Sequence, residues 1–270
     1  MSVMRPTWAP SEVDLSKPSQ ARMYDYFLGG DNNFAIDREV ARRAIDLLPD
    51  LPMIMRANRA FLRRAVRFCV AQGITQFIDL GSGIPTVANV HEVAQEQNPD
   101  CRVVYVDFDP VAVTHSEAML VGNGRAAAIQ ADIRNPRAVL VSPEVRSLID
   151  LDQPVALLML AVLHFMPDDE QPYKVVQQYR DAVAPGSYLA VSHASFTTRD
   201  DTAQDRIELM ERAGLDLVSR TSEEISEFFS GFSLVEPGLA RLPLWRPDSV
   251  RDLAYEPERF AGLVGVGYKV

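Results

Sequence analysis

The stretch Asp79-Leu80-Gly81-Ser82-Gly83-Ile84-Pro85 decides the fold of this 270-residue chain. It continues a short apolar run, Gln76–Leu80, that is predicted to be a buried strand, and it leads into a predicted helix at 86–97. A strand, a glycine turn and a helix N-terminus form a nucleotide-binding device, because the glycines let a ligand approach the backbone closely. Pro85 and Thr86 stand where a third glycine would seat a pyrophosphate, so the loop fits a nicotinamide dinucleotide poorly.

Strands and helices alternate on both sides of this motif. The predicted strands cover residues 76–80, 102–107, 126–130, 154–160, 187–193, 232–236 and 263–270. The predicted helices cover residues 86–97, 110–121, 136–140, 143–149, 169–183, 203–213 and 222–229. Residues 155–160 are apolar throughout, which is typical of strands covered on both faces. This alternation predicts an α/β fold with a doubly wound parallel sheet.

The N-terminal quarter of the chain has a different sequence pattern, with an extended arm followed by helices. Residues 1–18 contain three prolines and no helical period, so they are predicted to form an extended arm. Helices are predicted at 20–28, 37–48 and 52–71, which makes residues 19–73 a helical cap or lid. Residues 74–270 then carry the sheet. The cap is expected to be part of the same domain.

Composition excludes several classes of function. The chain has 27 basic and 37 acidic residues, a net charge of −10, which argues against binding the phosphate backbone of DNA or RNA. No apolar run reaches the ~18 residues that a membrane span needs, and the start of the chain lacks a secretory apolar region. Cys69 and Cys101 stand alone, so neither disulfides nor metal sites are expected. The prediction is a cytoplasmic, soluble globular protein.

Carboxylates follow the next two strands at the same edge of the predicted sheet. Asp107 lies at the tip of the second strand, where a carboxylate can accept hydrogen bonds from both hydroxyls of an adenosine ribose. Asp109 precedes a proline and is expected to cap the next helix. Asp132 ends the third strand and can accept from an adenine amino group, while the amide of Ile133 can donate to a ring nitrogen. Asp79 is placed to influence a ligand's positive charge.

At this point the chain resembles a known family. Asp-x-Gly-x-Gly followed by Asp107 and Asp132 resembles class I S-adenosylmethionine (SAM)-dependent methyltransferases. More specifically, the chain from about residue 18 to 270 is similar to a bacterial S-adenosyl methyltransferase family long described as a domain of unknown function. The segments that carry this resemblance are ARMYDYFLGGDNNF at 21–34, RANRAFL at 56–62, FIDLGSGIPT at 77–86, YVD at 105–107 and VLHF at 162–165.

The resemblance implies a Rossmann-like sheet of seven strands, the last one antiparallel, and SAM as the cofactor. The implied cofactor site consists of Asp79, Gly81, Ser82, Gly83, Asp107, Phe108, Asp132, Ile133, Leu160 and Ala161. Its glycines would lie along the methionine part of the cofactor, and Leu160 and Ala161 would line the opposite wall. The family implies the cofactor strongly and the methyl acceptor hardly at all.

The four histidines differ in their placement. His164 follows the fourth strand on the ligand side, so it is a candidate general base, or else a wall residue and hydrogen-bond anchor. His193 ends the fifth strand and is a weaker candidate base. His91 and His115 fall inside crossover helices and are expected on the helix surface.

The N-terminal motif has two interpretations. Tyr24 and Gly30 could belong to a lid that closes over the cofactor, and Arg59, with Arg56 three residues before it, could meet the cofactor carboxylate. Alternatively the tyrosine packs under the cap and the arginines face solvent. A further cluster, expected to face solvent, comprises Arg63, Arg64 and Arg67.

The predicted function is therefore SAM-dependent transfer of a methyl group to an unidentified, small-molecule acceptor. Two alternatives stay open. One is a non-catalytic module that binds or senses SAM, because the chain lacks an obvious catalytic pattern such as Asn-Pro-Pro-Tyr. The other is a NAD-dependent oxidoreductase, which would need a better pyrophosphate loop and leaves Asp132 unexplained.

Overall fold

A central sheet organises the chain in the computed structural model, which describes residues 9–11, 13–86, 88–196, 208, 212, 215–249, 256–260 and 262–270. Its strands are β1 Gln76–Leu80, β2 Arg102–Asp107, β3 Ala126–Gln130, β4 Ala156–Leu160, β5 Tyr188–Ala194, β6 Phe232–Leu234, β7 Ala240–Arg241 and β8 Gly262–Lys269. The sheet order is β3-β2-β1-β4-β5-β8-β6, with β7 pairing with β8. Strands β1 to β5 are parallel, and β8 is antiparallel to β5, β6 and β7.

Helices precede the sheet and connect its strands. They are α1 Gln20–Phe27, α2 Ala35–Leu47, α3 Leu51–Ala71, α4 Val90–Gln97, α5 Pro110–Met119, α6 Pro136–Leu140, α7 Pro143–Leu148, α8 Pro172–Ala182 and α9 Ser222–Glu227. The helix predicted at 203–213 falls almost entirely outside the described residues, as does half of the predicted N-terminal arm. Within the described part, none of the helices has both the length and the apolar character required to cross a bilayer.

The predicted doubly wound α/β fold with an antiparallel last strand is confirmed, although the described residues form eight strands rather than seven. The additional strand, β7, has two residues, too few to produce a detectable alternation. Ile78 of β1 pairs with Val104 of β2 on one side and with Leu157 of β4 on the other. The strand order therefore reverses beside β1, and a crevice for a ligand opens at such a reversal.

Apolar side chains fill the space on both faces of the sheet. On one face, Phe61 of α3 packs edge-on against Trp245, with ring centroids 5.3 Å apart, and both side chains are fully buried. On the other face, Tyr179 of α8 is fully buried, and its hydroxyl donates to the Ile133 carbonyl at 3.0 Å. Helix α3 thus shares a hydrophobic core with the strands.

Buried ion pairs join the cap helices to the sheet domain. Arg22 of α1 donates to Asp37 of α2 at 2.9 Å and to Asp109 at 3.3 Å, and all three side chains are buried. Asp109 also accepts from the Val111 amide at 2.8 Å, which confirms its predicted role as the N-cap of α5. One arginine between two carboxylates thus ties α1 and α2 to the loop that follows β2.

Two polar residues predicted on the surface are buried instead. Arg64 donates to the carbonyls of Trp245 at 2.8 Å and Leu242 at 2.6 Å, so its predicted exposure is wrong. It lies three residues after Phe61, on the face of α3 that packs inward. His91 was expected on a helix surface, but its Nδ1 lies 2.8 Å from the Tyr105 hydroxyl of β2. Both residues satisfy polar groups inside the molecule.

Candidate functional site

A cavity of about 540 Å³ opens at the carboxyl ends of the parallel strands, beneath the cap helices. This volume is typical of pockets that hold a small ligand (~300–1,000 Å³). The predicted site residues that line it are Tyr24, Arg59, Asp79, Gly81, Ser82, Gly83, Asp107, Phe108, Asp132, Ile133, Leu160, Ala161 and His164. The fold therefore brings into one cavity groups that are up to 140 positions apart in the chain.

The glycine turn after β1 needs its glycines for two physical reasons. Gly81 has φ +77°, and a Cβ there would lie 2.5 Å from a methyl carbon of Val162. The amides of Gly81 and Ser82 donate to the Val106 carbonyl at 2.8 and 3.1 Å, which folds the turn onto β2. Gly83 has φ +66°. The turn thus packs between β2 and the segment that follows β4.

Helix α4 begins later than the sequence predicts. Its N-cap is Asn89, whose amide accepts from the Thr86 backbone N–H at 3.0 Å and whose own backbone N–H donates to Glu92 at 2.7 Å. This capping box starts the helix at Val90 rather than Thr86. The expectation that a helix N-terminus directly follows the glycine turn is therefore wrong, and the amides of Gly81, Ser82 and Gly83 donate to Val106 and Asp107 of β2 instead.

Asp107 is held rigidly at the tip of β2. Its Oδ2 accepts from the Gly83 amide at 2.7 Å, and its Oδ1 accepts from the Asp109 amide at 2.9 Å. Burial raises the pKa of Asp107 to about 6, against the lowering effect of these two hydrogen bonds. Each carboxylate oxygen retains a lone pair for a further donor. Phe108, which follows it, is 65% exposed at the cavity edge.

Asp79 is the most unusual group of the cavity. Its side chain is 4% exposed, and among the described residues none donates a hydrogen bond to its carboxylate. Burial raises its pKa to about 7, while the positive charge of Arg59 opposes the shift and the negative charge of Asp107 adds to it. A buried carboxylate without a donor fits a ligand that brings a cationic donor of its own.

Asp132 lies at the rim of the cavity and is already engaged. Both of its oxygens accept from the Arg134 guanidinium, at 2.9 Å from Nε, and this ion pair lowers the pKa of Asp132. Arg134 also donates to Glu170 at 2.5 Å. An adenine amino group that reaches Asp132 must therefore share it with the guanidinium or displace it.

The wall opposite the glycine turn is strained. Ala161, directly after β4, has φ +55°, a backbone conformation that alanine rarely adopts. Its amide donates to the Ser192 hydroxyl at 2.8 Å and also to the Ser192 carbonyl at 3.1 Å. The neighbouring strand therefore holds Ala161 in this conformation. Strain of this kind is common at ligand sites.

Two histidines line the cavity beside this wall. Nδ1 of His164 accepts from the Ala194 amide at 3.3 Å, which leaves the proton of the neutral ring on Nε2. Nδ1 of His193 donates to the Ala194 carbonyl at 2.7 Å, and its Nε2 accepts from Arg220 at 3.0 Å. Burial lowers the pKa of His193 to about 4 and that of His164 well below its ordinary value. With both nitrogens engaged, His193 cannot accept another proton.

The cap contributes a small polar network. The Tyr24 hydroxyl accepts from Asn58 Nδ2 at 2.9 Å and donates to the Met55 carbonyl at 3.3 Å. Asn58 is 5% exposed, and its Oδ1 has no hydrogen-bond partner among the described residues. Arg59 reaches Asn89 Oδ1 at 3.3 Å. Asn58 thus holds Tyr24 in place at the cavity wall.

Two predicted residues lie elsewhere. Gly30 is not among the described residues that line the cavity, and a Cβ on it would lie 2.1 Å from Asp25 Oδ1. Asp25 accepts from the backbone of Asn32 at 2.9 Å and from the Asn33 amide at 2.8 Å, so this part of the motif forms a tight turn after α1. Arg56 is exposed and likewise outside the lining.

Sequence reasoning missed several lining groups. Asn58 lies inside the RANRAFL segment, where the sequence gives it no role of its own. Arg220 belongs to no motif; it lies behind the cavity lining and contacts the lining residue His193. The apolar lining from the cap and from the segments after the strands was also missed, since those residues look like ordinary core. These are Phe27, Leu51, Ile54, Met55, Phe196, Leu215, Leu217 and Leu242.

Comparison with known proteins gives a consistent result. The sequence model of a family described as S-adenosyl methyltransferase matches residues 6–270. The crystal structure of a putative methyltransferase from Thermobifida fusca YX is similar, with 43% identity, 98% of this chain and 99% of that chain covered, and a TM-score of 0.91. A DUF574 family protein from Streptomyces avermitilis MA-4680 has 36% identity, coverage of 94% and 98%, and a TM-score of 0.88.

A more distant likeness concerns the fold alone. The N-methyltransferase NodS from Bradyrhizobium japonicum WM9, solved in complex with S-adenosyl-L-homocysteine, has 16% identity, coverage of 92% and 98%, and a TM-score of 0.51. None of the curated proteins matches the chain. The sheet described above therefore has the architecture of class I, Rossmann-like methyltransferases.

Proposed function

The chain belongs to the S-adenosyl methyltransferase family, and on that premise we propose that it transfers the methyl group of SAM to a small-molecule acceptor held between the sheet edge and the cap. SAM is the cofactor of this family, and the chain is a SAM-dependent methyltransferase. The observation that carries the proposal is that one cavity joins the tips of β1, β2 and β3 to an apolar chamber under the cap.

The residues present fit this cofactor. Asp79 is a buried carboxylate that lacks a donor among the described residues, and the methionine part of SAM carries an ammonium group that can supply one. The adjacent Arg59 offers a guanidinium for the methionine carboxylate. Opposite charges thus stand side by side, as a zwitterionic amino acid requires.

The remaining strand tips supply a nucleoside site. Asp107 keeps lone pairs for the two ribose hydroxyls while the amides of Gly83 and Asp109 hold it in place. Phe108 and Ile133 offer apolar surface to a purine, and the Ile133 amide can donate to a ring nitrogen. Asp132 remains our candidate for the adenine amino group, in competition with Arg134.

When bound, SAM supplies an electrophilic methyl group on a positively charged sulfur. The protein's own contribution is alignment and exclusion of water, because the leaving group is already activated. Val162 and Ala161 form the wall that faces the glycine turn, and the cap helices close the cavity from above. The buried ion pairs of Arg22 hold the cap in position. We therefore propose that residues 19–73 cover the cavity as a fixed part of the sheet domain rather than as a mobile lid.

The cavity's size supports a small-molecule acceptor. Two of its lining residues, Asp50 of the cap and Arg259 of the C-terminal segment, form an ion pair that links these two parts of the chain. A nucleic acid would need basic surface, which a net charge of −10 does not favour.

Thermal unfolding with added ligands tests the cofactor assignment. SAM or S-adenosylhomocysteine (SAH) at a hundred times its dissociation constant should stabilise the fold by about 2.7 kcal/mol, and NAD at the same concentration should not. Stabilisation by NAD alone would overturn the proposal.

A turnover assay tests the acceptor's size. A bacterial extract is divided by ultrafiltration into a small-molecule filtrate and a macromolecular retentate, and SAH formation is followed with each. We expect SAH to form with the filtrate. Formation with the retentate alone would show a macromolecular acceptor, and formation with neither would favour a binding module.

A further inference from the structure

We propose that the acceptor is an apolar ring compound with an acidic hydroxyl, of the phenol or enol class, held by a hydrogen bond from Nε2–H of His164; this rests on the proposed function. Three features of the cavity lead to this substrate class: the apolar chamber, the direction of the histidine's hydrogen bonds, and the engagement of the groups that could remove a proton.

The acceptor chamber lies on the β4–β5 side of the cavity. The tips of β1, β2 and β3 carry the carboxylates of the proposed nucleoside site, so the acceptor takes the remaining space below the cap. The cap contributes Phe27, Leu51, Ile54 and Met55 to this space, and the opposite side contributes Phe196 and Leu215. Such walls favour an apolar body, since the removal of apolar surface from water is favourable.

His164 presents a donor to this chamber. The Ala194 N–H occupies Nδ1 at 3.3 Å, so the neutral imidazole carries its hydrogen on Nε2. No described residue forms a hydrogen bond with that nitrogen, and His164 lines the cavity. A ligand atom beside Nε2 must therefore accept a hydrogen bond. Oxygen on a ring compound meets this requirement.

Burial, with the buried Arg220 nearby, keeps this arrangement from reversing. The Arg220 guanidinium is 2% exposed and donates to His193 at 3.0 Å, to the Leu163 carbonyl at 3.2 Å and to Asp168 at 2.5 Å. Together with desolvation and His193, its positive charge lowers the pKa of His164 well below the ordinary value. His164 therefore stays neutral in neutral solution, and its free nitrogen donates rather than accepts.

The chamber consequently gives its acceptor little help in losing a proton. His193 has both nitrogens engaged, the Tyr24 hydroxyl donates to Met55, and Asp50 is paired with Arg259. Asp216 also lines the cavity, but its side chain is exposed to solvent. An ammonium group or an aliphatic alcohol would need a base in this space. A phenol or enol loses its proton to water at modest cost, and Nε2–H then stabilises the oxygen anion.

The transfer step balances without a protein base. The hydroxyl proton leaves to water before transfer, and the oxygen then donates an electron pair to the methyl carbon. The carbon–sulfur bond breaks with its electron pair going to the sulfur. One anion and one sulfonium become a neutral methyl ether and a neutral thioether, a change that an apolar chamber favours.

Ligand probes of one shape test the assignment. Calorimetry on the SAH-saturated protein at neutral pH compares 2-naphthol, 2-methylnaphthalene and 2-naphthylmethylamine. We expect 2-naphthol to bind about tenfold tighter than 2-methylnaphthalene, the scale of one net hydrogen bond, and the ammonium compound to bind weakest. In His164→Phe the tenfold preference should vanish while 2-methylnaphthalene binds as before.

The outcomes separate the two proposals. His115→Phe, a histidine outside the cavity lining, should keep the preference for 2-naphthol. Equal binding of 2-naphthol and 2-methylnaphthalene to the SAH complex, tightest binding of the amine, or an unchanged preference in His164→Phe would overturn this inference alone. Failure of the wild-type protein to bind SAH would instead overturn the proposed function.

Discussion

Asp79, our proposed partner for the cofactor's ammonium group, lowers the stability of the ligand-free fold. Its carboxylate is buried, and among the described residues it has no hydrogen-bond donor. Its folded pKa of about 7 lies above the ordinary value of 3.8, so between these values the folded chain holds a proton that the unfolded chain has lost. The free energy of unfolding therefore falls as the pH rises from about 4 to about 7.

Asp79→Asn should stabilise the ligand-free protein at pH 8 by on the order of 2 kcal/mol, because it removes a buried charge without a large change of shape. Urea unfolding measures the change. Asp152→Asn, at an exposed site, should change the unfolding free energy by no more than about 0.5 kcal/mol. A less stable Asp79→Asn protein would show that another donor satisfies the carboxylate.

On the proposed assignment, the same residue should make cofactor affinity depend on pH. The ammonium group of SAH favours ionised Asp79, so binding below pH 7 releases a proton, and affinity should rise by up to tenfold between pH 6 and pH 7 and then level off. Arg59 and Asp107, the charged neighbours that affect this pKa, remain in the variant. Calorimetry in buffers of different ionisation enthalpy measures the proton release, and Asp79→Asn should abolish it.

Asp107→Ala should weaken SAH binding by roughly 1–3 kcal/mol, the scale for losing a charged hydrogen-bond partner. The change also removes the acceptor for the Gly83 and Asp109 amides, so the glycine turn loses its support. Asp152→Ala, at an exposed site outside the cavity lining, should leave the affinity unchanged. Equal affinities of wild-type and Asp107→Ala protein would remove Asp107 from the ribose site.

At the scale of elements, the cap depends on the position of α1. This helix has eight residues, too few to be stable alone, and its buried face carries both apolar and charged side chains. Arg22 on that face meets Asp37 of α2 and Asp109 at the start of α5. Since Asp107 accepts from the Asp109 amide, the cap and the proposed ribose site share one loop.

Arg22→Met should lower the free energy of unfolding by about 3–5 kcal/mol, because two buried carboxylates lose their common partner. Urea denaturation measures this change in the free energy of unfolding. The matched variant Arg43→Met removes an exposed arginine that pairs with Glu39 four residues away on α2, and should cost less than about 0.5 kcal/mol. Similar effects of the two substitutions would mean that the buried ion pairs do not anchor the cap.

At the scale of the whole molecule, α3 unites the cap with the sheet. It belongs to the cap by sequence, but Phe61 and Arg64 on its inner face contact Trp245, which lies in the segment between β7 and β8. The hydrophobic core on this face contains buried residues of α3 and of six strands. The chain is therefore expected to unfold as one unit.

Urea unfolding of a Trp8→Phe variant, followed by fluorescence of the remaining Trp245, should coincide with unfolding followed by far-ultraviolet circular dichroism. Coincident curves follow from a core shared by the cap and the sheet. Two separate transitions, with the fluorescence change preceding the loss of strand structure, would make residues 19–73 a separate unit.

The sequence alone determined the parts of the protein that local patterns encode. Strands β1, β2 and β3 begin and end at the predicted residues, because apolar runs bounded by glycine, aspartate and proline leave little freedom of assignment. Parallel strands place their carboxyl ends at one edge, so Asp79, Asp107 and Asp132 were predicted near one another, and all three line the cavity.

Only the tertiary structure decided the burial of Arg64 and His91, the place of Gly30 outside the cavity lining, and the direction of the hydrogen bonds at His164. Each of these depends on contacts between residues far apart in the chain. Arg220, for example, acts on His193 across 27 positions, and Arg64 reaches Trp245 across 181. A polar side chain looks the same in a sequence whether it faces water or a buried carbonyl, since its state is set by the partner that folding brings to it.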